Sequence, residues 1–414
     1  MHALCGHITT GIFCSFLAIL TYGQPRSCGF NDDMLRNNPA FMQQESATQQ
    51  WLADHDTRIM TRSSVTIPVV FHVVYSGEAG NISDLQIASQ VAVLNRDYQG
   101  QAENRGRIPP VFRASDTPAD MRFCLATTDP DGNPATGITR TATMIEGIGG
   151  QVVSEGRIAV HYDAFGGKDA WDPQRYVNIW VADLNGLLGR ATFPGMAPFP
   201  EEDGVVIDPA AVGSLGSAVT NAPYDRGHTL THELGHYFNL LHLFNSAPGC
   251  ADNDFVDDTP VQGRPYSGCP SHPQVSCDSE DMFMNFMALT DDRCIGFFTA
   301  GQVARMKAAL MVHRPGLIAG DTPCGPVISG RTPLDSVHAF YAPGDDKIVM
   351  TTDQEYDQSM RYTVVAADGR LITASTWQIG ATLVIDTAGW PSGIYALTLR
   401  NGEARKTVLL AVVR

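Results

Sequence analysis

The stretch HELGHYFNLLH, residues 232–242, sets two histidines four positions apart, a glutamate beside the first, and a third histidine six residues beyond the second. On a helix His232 and His236 project from one face about a turn apart, where both imidazoles can reach one metal ion at about 2.0–2.1 Å. Glu233 lies beside them without being a ligand. A carboxylate there can hold a water, take its proton and hand that proton to a leaving amine. His242 does not fit the same helix, because six residues carry it about 240° around the axis and roughly 9 Å along it. The helix must stop. Asn239 is suited to stop it, since asparagine is the best substitute for glycine in the left-handed conformation that ends helices. A turn there brings His242 to the metal from the other side. His228, at the expected helix start, has no glutamate in the matching place and reads as a supporting or surface residue.

Something must hold that helix. Residues 66–75, TIPVVFHVVY, form a β-branched strand long enough to be central, and further strands read at 121–125, 177–184 and 204–208. Between the first two, residues 83–98 read as a helix, with Ser83 and Gln86 at capping-box spacing and Leu85, Val91, Leu94 and Tyr98 near helical period. Strands separated by helix give a mixed, twisted α/β (α+β) sheet against which the histidine helix leans. Residues 298–310 form another helix, with Met306 and Leu310 on one face.

The chain has 414 residues, 43% of them hydrophobic, and a formal net charge of -16. That is ample for a packed core, and the acidic balance argues against nucleic acid, which needs concentrated Lys and Arg. Residues 12–20, IFCSFLAIL, are too few to span a bilayer and precede small residues at the usual cleavage positions, so 1–23 read as a signal peptide or, failing that, a buried strand. No other segment is long enough to be transmembrane. Residues 24–62 are polar, with a helix-forming stretch and a basic junction at Arg58 and Arg62. They read as a prosegment or a simple N-terminal arm. Export would put the cysteines in an oxidising compartment. Of nine, Cys5 and Cys14 leave with the signal peptide, and seven remain, an odd number.

HELGHYFNLLH resembles the extended zinc motif of the metzincin metallopeptidases, with Asn239 where glycine is usual. NFMALTDDRC, residues 285–294, resembles their Met-turn, with Met287 as the methionine beneath the metal. LLGRATFPG before the helix, CADNDFVDDTP after it and FTAGQ after the Met-turn are similar to the pappalysin family and its smaller bacterial members, the likeness covering residues 65–319. The resemblance implies a two-lobed catalytic domain over 63–322, endopeptidase activity on proteins or peptides, zinc on His232, His236 and His242, and Glu233 as general base. It further implies the disulfides Cys250–Cys277 and Cys269–Cys294, where spacing alone leaves three connectivities open. Leu289 stands where many such enzymes carry an oxyanion-steadying tyrosine, which leaves that work to zinc. Asp291 and Asp292 would favour a basic substrate side chain, and Arg293 would oppose it.

Asp252, Asp254, Asp257, Asp258 and Thr259 supply hard oxygens in one loop, as calcium requires, although not in the EF-hand pattern. The loop is a calcium site, which the resemblance favours, or a solvated acidic loop. Cys28 is the expected odd thiol: its thiolate would take the open zinc position as a latch and keep a precursor silent, unless Cys28 pairs with Cys124 or Cys324. Residues 330–414 change texture to short strands, with Asp368-Gly369 and Asn401-Gly402 placed for hairpin turns. This separate β-sandwich resembles the sorting domains that engage the type IX secretion machinery, and its other reading is a substrate-binding module. The expectation is a secreted, monomeric, latent endopeptidase that uses zinc-activated water. Its rival is a surface-binding protein with a closed structural zinc site, for which only Cys28 offers a fourth ligand.

Overall fold

The structure, a computed structural model, describes residue 28 and residues 35–55, 64–244, 249–250, 254–320, 322–324, 337–342, 346–352, 359–378, 383–401 and 404–412. The expected signal peptide, the junction at Arg58 and Arg62, Asp252 and Gly402 lie outside these residues.

The sequence from Val65 to Tyr75 forms strand β1, whose inner eight residues are all buried. Burial on both faces explains its apolar run, interrupted by His72, whose ring nitrogens are paired with Thr139 and Asn178. It is the centre of a six-stranded sheet with β2 (Met121–Leu125), β3 (Ile138–Ala142), β4 (Val177–Val181), β5 (Gly189–Ala191) and β6 (Val205–Ile207). The order is β2-β1-β4-β6-β5, with β3 also on β1. All pairings are parallel except β5 with β6, so the mixed sheet ends in a short antiparallel edge strand. The strand expected over 177–184 ends at Val181 because Asp183 turns the chain, its carboxylate accepting from the amides of Asn185 and Gly147.

One sheet face packs on helices. Ile67, Val69, Phe71 and Val73 meet Ile87, Val91 and Leu94 of α2 (Asp84–Tyr98), Leu230 and Leu234 of α3 (His228–Tyr237), and Val303, Met306 and Leu310 of α4 (Ala300–His313). Ser83 caps α2 through the Gln86 amide, but Gln86 does not reach back as a capping box would. Its side chain is drawn instead to the carbonyls of Pro209 and Val212 and to Ser217. The full box occurs on α4, between Thr299 and Gln302. Ahead of the sheet lies helix α1 (Pro39–Asp54), capped by Asn38.

The strands β7 (Val337–Ala342), β8 (Lys347–Thr352), β9 (Ser359–Ala366), β10 (Leu371–Gln378), β11 (Leu383–Asp386), β12 (Gly393–Asn401) and β13 (Ala404–Val412) form two antiparallel sheets, of three and four strands. Ile348 and Met350 of one meet Val364, Trp377 and Leu397 of the other in a core of their own, a β-sandwich. Among the described residues, no helix is long and apolar enough to cross a membrane.

Candidate metal centre

Every residue of α3 is buried. Its first amides need an acceptor, and the carboxylate of Asp292 provides one, at 2.8 Å from the amide N of Arg226 and 3.4 Å from that of His228. Asp292 is thereby committed to the helix start, and Asp291 pairs with Arg293 at 3.1 Å. The two acids expected to greet a basic substrate side chain are thus already engaged. His228 is no surface residue: it is 1% exposed, with Nδ1 2.9 Å from the Asp292 carbonyl oxygen and Nε2 3.7 Å from Asp97.

At the other end, Asn239 has φ 75°. The amide of Leu240 donates to the Gly235 carbonyl at 2.9 Å and that of Asn239 to the His236 carbonyl at 2.9 Å, the paired bonds of a Schellman turn. The chain reverses and presents His242 to the helix. Ring centroids of His242 lie 5.2 Å from His232 and 4.6 Å from His236.

Each helical histidine is oriented from behind, Nδ1 of His232 at 2.7 Å from the Phe286 carbonyl oxygen and Nδ1 of His236 at 2.7 Å from that of Leu240. Donation there leaves Nε2 as the lone-pair nitrogen facing inward. One ligand atom each from Cys28, His232, His236 and His242 falls within 4.8 Å of the others, and among the described residues this is the sole such cluster. Tetrahedral zinc needs about 3.3 Å between nitrogens and about 3.6 Å between nitrogen and sulfur. The Nε2 atoms of His232 and His236 are 3.1 Å apart, and Cys28 Sγ is 3.5 Å from Nε2 of His236. The donor set fits zinc.

Two further approaches complete the centre. Met287 is fully buried, and a Cβ on Gly235 would lie 2.4 Å from its sulfur, so the methionine turn sits directly under the histidine helix. Asn285 holds that turn, accepting from the Met287 amide at 2.9 Å and exchanging amide bonds with Gln302 of the α4 capping box. Above the helix, β5 passes Glu233 so closely that a Cβ on Gly189 would be 2.6 Å from its Cγ. Cys28 forms a parallel bridge with that same Gly189.

A fold of this shape around an HExxH helix has known relatives. The family profile described as Peptidase M43, pregnancy-associated plasma protein-A, matches residues 161–311. An extracellular metalloprotease of Arthroderma benhamiae is 32% identical over 269 residues, 62% of this chain and 76% of that one. Among solved structures, Tannerella forsythia promirolysin superposes with a TM-score of 0.63 at 37% identity, covering 71% of this chain and 97% of that chain. Mature mirolysin with a cleaved peptide gives 0.56 at 40% identity, covering 62% and 98%.

The chain belongs to the pappalysin family.

It is a metalloendopeptidase, and the pappalysin cofactor, zinc, matches the histidine cluster. Three disulfides brace the pappalysin fold, Cys124–Cys324, Cys250–Cys277 and Cys269–Cys294. Cys28 is in none of them, because Cys124 and Cys324 take each other. The calcium expectation fares differently. Asp254 is buried, its Oδ1 accepting from the Thr259 hydroxyl at 2.7 Å, and desolvation pushes its carboxyl up to about 7. Asp258 accepts from Thr299 and Gly301 at the start of α4, and Asp257 is exposed. Among the described residues these oxygens do not converge.

Sequence reading missed Gly189, Asp292 as the anchor of the helix start, and Arg305. None lies in a local pattern: a three-residue edge strand and two residues defined by partners far along the chain carry no periodic signal.

Proposed function

We propose that this chain is a secreted zinc endopeptidase made as a latent precursor, in which His232, His236 and His242 hold zinc, Glu233 is the general base and Cys28 is the latch. The observation that carries this reading is the convergence of Cys28 with the three histidines beside Glu233. Zinc, when bound, supplies a Lewis acid that makes water nucleophilic near neutral pH and polarises a carbonyl. Glu233, 1% exposed and set against Gly189, takes a proton from the attacking water and delivers it to the departing amine. The phase of the imidazoles is kept by Phe286 and Leu240, whose carbonyls leave only Nε2 to bind the ion. Strand β5 is a sheet edge, so its outer backbone groups can pair with an extended substrate once the segment around Cys28 has left. Met287 supports the helix from below and takes no part in proton transfer.

The precursor reading draws on residues 24–62 as a prosegment, with cleavage at Arg58 or Arg62. Promirolysin covers 71% of the chain, mature mirolysin 62%, which supports an N-terminal segment shared with the precursor form. Export through a signal peptide over 1–23 is supported by relatives named extracellular metalloproteases. The remaining assignments are a catalytic unit over 63–322, a β-sandwich over 330–414 that engages the secretion machinery, and action as a monomer. Calcium is left out of the proposal, since Asp254 is engaged with Thr259 and Asp258 with the start of α4. The rival, a binding protein with structural zinc, needs a permanent fourth ligand, and the cysteine in position belongs to the removable segment.

The test is cleavage of a diverse peptide mixture by the processed protein, read by mass spectrometry beside Glu233→Ala and a chelated sample. Cuts that vanish in both controls are expected. No cuts by the zinc-loaded protein would overturn the reading. For the latch, precursor carrying Cys28→Ser should cleave where wild-type precursor does not, and equal activities would remove Cys28 from that role.

A further inference from the structure

Helix α1 buries only three residues, Phe41, Glu45 and Thr48, one per turn. At the centre of that stripe is an acid. Glu45 is met by Arg305 of α4, with Nη1 at 2.6 Å from Oε1 and Nη2 at 2.5 Å from Oε2. The guanidinium is 1% exposed, and its third donor, Nε, reaches the carbonyl oxygen of Asn239 at 2.6 Å. Asn239 is the turn residue that sends His242 to the metal, and its own side-chain amide donates to Glu45 at 3.4 Å. Phe41 adds a second path: its ring meets Phe193 edge-on at 5.8 Å, and Phe193 lies 5.5 Å from the His236 ring. Thr48 adds a hydrogen bond to Nε2 of His313 at the end of α4, at 2.9 Å, and beyond it the helix faces a cavity of about 500 Å³ between Gln49 and Leu52 on one side and Phe255 and Ala304 on the other.

The charged element of this hold is one buried, bidentate ion pair. Such a pair is strongly unfavourable when one partner leaves, because the other charge stays buried. Arg305 belongs to α4 and stays. We propose that Arg305 is a docking site for an acidic helical peptide, occupied in the precursor by Glu45 of α1, and that its occupancy steadies the Asn239 turn and hence the His242 arm of the metal centre. This site is separate from the histidine cluster that Cys28 joins, so α1 acts without the thiol. It grips a helix through a carboxylate, and it supports the metal site where Cys28 blocks it.

The inference rests on the precursor reading above. The experiment adds a fluorescently labelled synthetic peptide of residues 35–55, which lacks Cys28, to the zinc-loaded enzyme processed after Arg58 or Arg62. Binding is followed by anisotropy, and zinc release to a chromogenic chelator is timed in parallel. The wild-type peptide should bind and slow zinc release. The Glu45→Gln peptide should bind at least about tenfold more weakly and leave release unchanged. Because the change is in the ligand, misfolding of the enzyme cannot imitate it, and both peptides bear the same cost of helix formation. No binding of the wild-type peptide, or equal binding of both, overturns the docking site. Binding with unchanged zinc release overturns the coupling to the metal centre. If N-terminal sequencing finds residues 24–62 retained in the active protein, the precursor reading fails separately. Glu45→Gln in the full chain must then speed zinc release about tenfold, and an unchanged rate overturns the inference.

Discussion

Gly189 and Glu233 meet where β5 passes over α3: a Cβ on the glycine would stand 2.6 Å from Cγ and 2.9 Å from Oε1 of the buried carboxylate. An edge strand can run this near the base only without a side chain. Gly189→Ala is expected to displace Glu233 and lower kcat/KM by about tenfold or more, since a misplacement of about 1 Å can cost a hundredfold. Zinc content should stay at one equivalent, so metal analysis alongside kinetics separates a moved base from a lost site. An unchanged kcat/KM would mean that the strand yields instead.

Asn239 offers a cleaner backbone test. With φ 75° it occupies a region that costs a β-branched residue about 1–2 kcal/mol and costs glycine nothing. Asn239→Gly should keep the turn and bind zinc nearly as well as wild type in the processed enzyme. Asn239→Val should weaken zinc binding by about tenfold or more in competition with a calibrated chelator. Equal affinities for the two variants would show that the turn does not deliver His242.

Asp292 is expected to act through the start of α3. Removing its carboxylate strands the amides of Arg226 and His228 inside the protein, at a cost of about 1–2 kcal/mol in urea unfolding. Asp292→Ala should therefore lower stability with little change in cleavage preference at basic side chains. A large change of preference without loss of stability would return Asp292 to the substrate pocket.

Acid should loosen the N-terminal helix. Burial raises the Glu45 carboxyl, but the charge and hydrogen bonds of Arg305, with help from Gln49 and Asn239, outweigh it and hold the group below its ordinary 4.5. A carboxyl lowered on docking contributes a hold that is complete above its ordinary value and is lost as pH falls through the lowered one. Precursor clipped after Arg58 or Arg62 should keep its N-terminal piece at neutral pH and release it on titration below about 4.5, followed by size-exclusion chromatography. Glu45→Gln should flatten that step. A step of equal size in the variant would assign it to another group.

What could be read along the chain was what is encoded locally. His232 and His236 share a helix face by spacing, and Asn239 had to end that helix because His242 could not otherwise turn back. The central strand announced itself through the β-branched run TIPVVFHVVY, and the structure buries eight of its positions in a row. The partners across the molecule were silent. Glu45 and Arg305 are 260 residues apart, and neither stands out in its own helix, where an acid or an arginine is ordinarily solvated. Gln86 had the right spacing for a cap and went elsewhere, because loop carbonyls at Pro209 and Val212 offered a buried amide better partners. Asp291 and Asp292 invited a substrate role on charge alone, and only the fold revealed that one serves Arg293 and the other a helix end.

The bridge from Cys124 to Cys324 spans 200 positions of sequence and closes the chain into a ring. Every histidine of the cluster, Glu233, the methionine turn and α4 lie on that ring. A single backbone break between those two cysteines opens the ring without dividing it, so both pieces stay joined and the local concentration of each at its partner remains high. For a protein that hydrolyses peptide bonds among copies of itself, this is tolerance of accidental nicks, and clipped molecules should separate on a denaturing gel only after reduction.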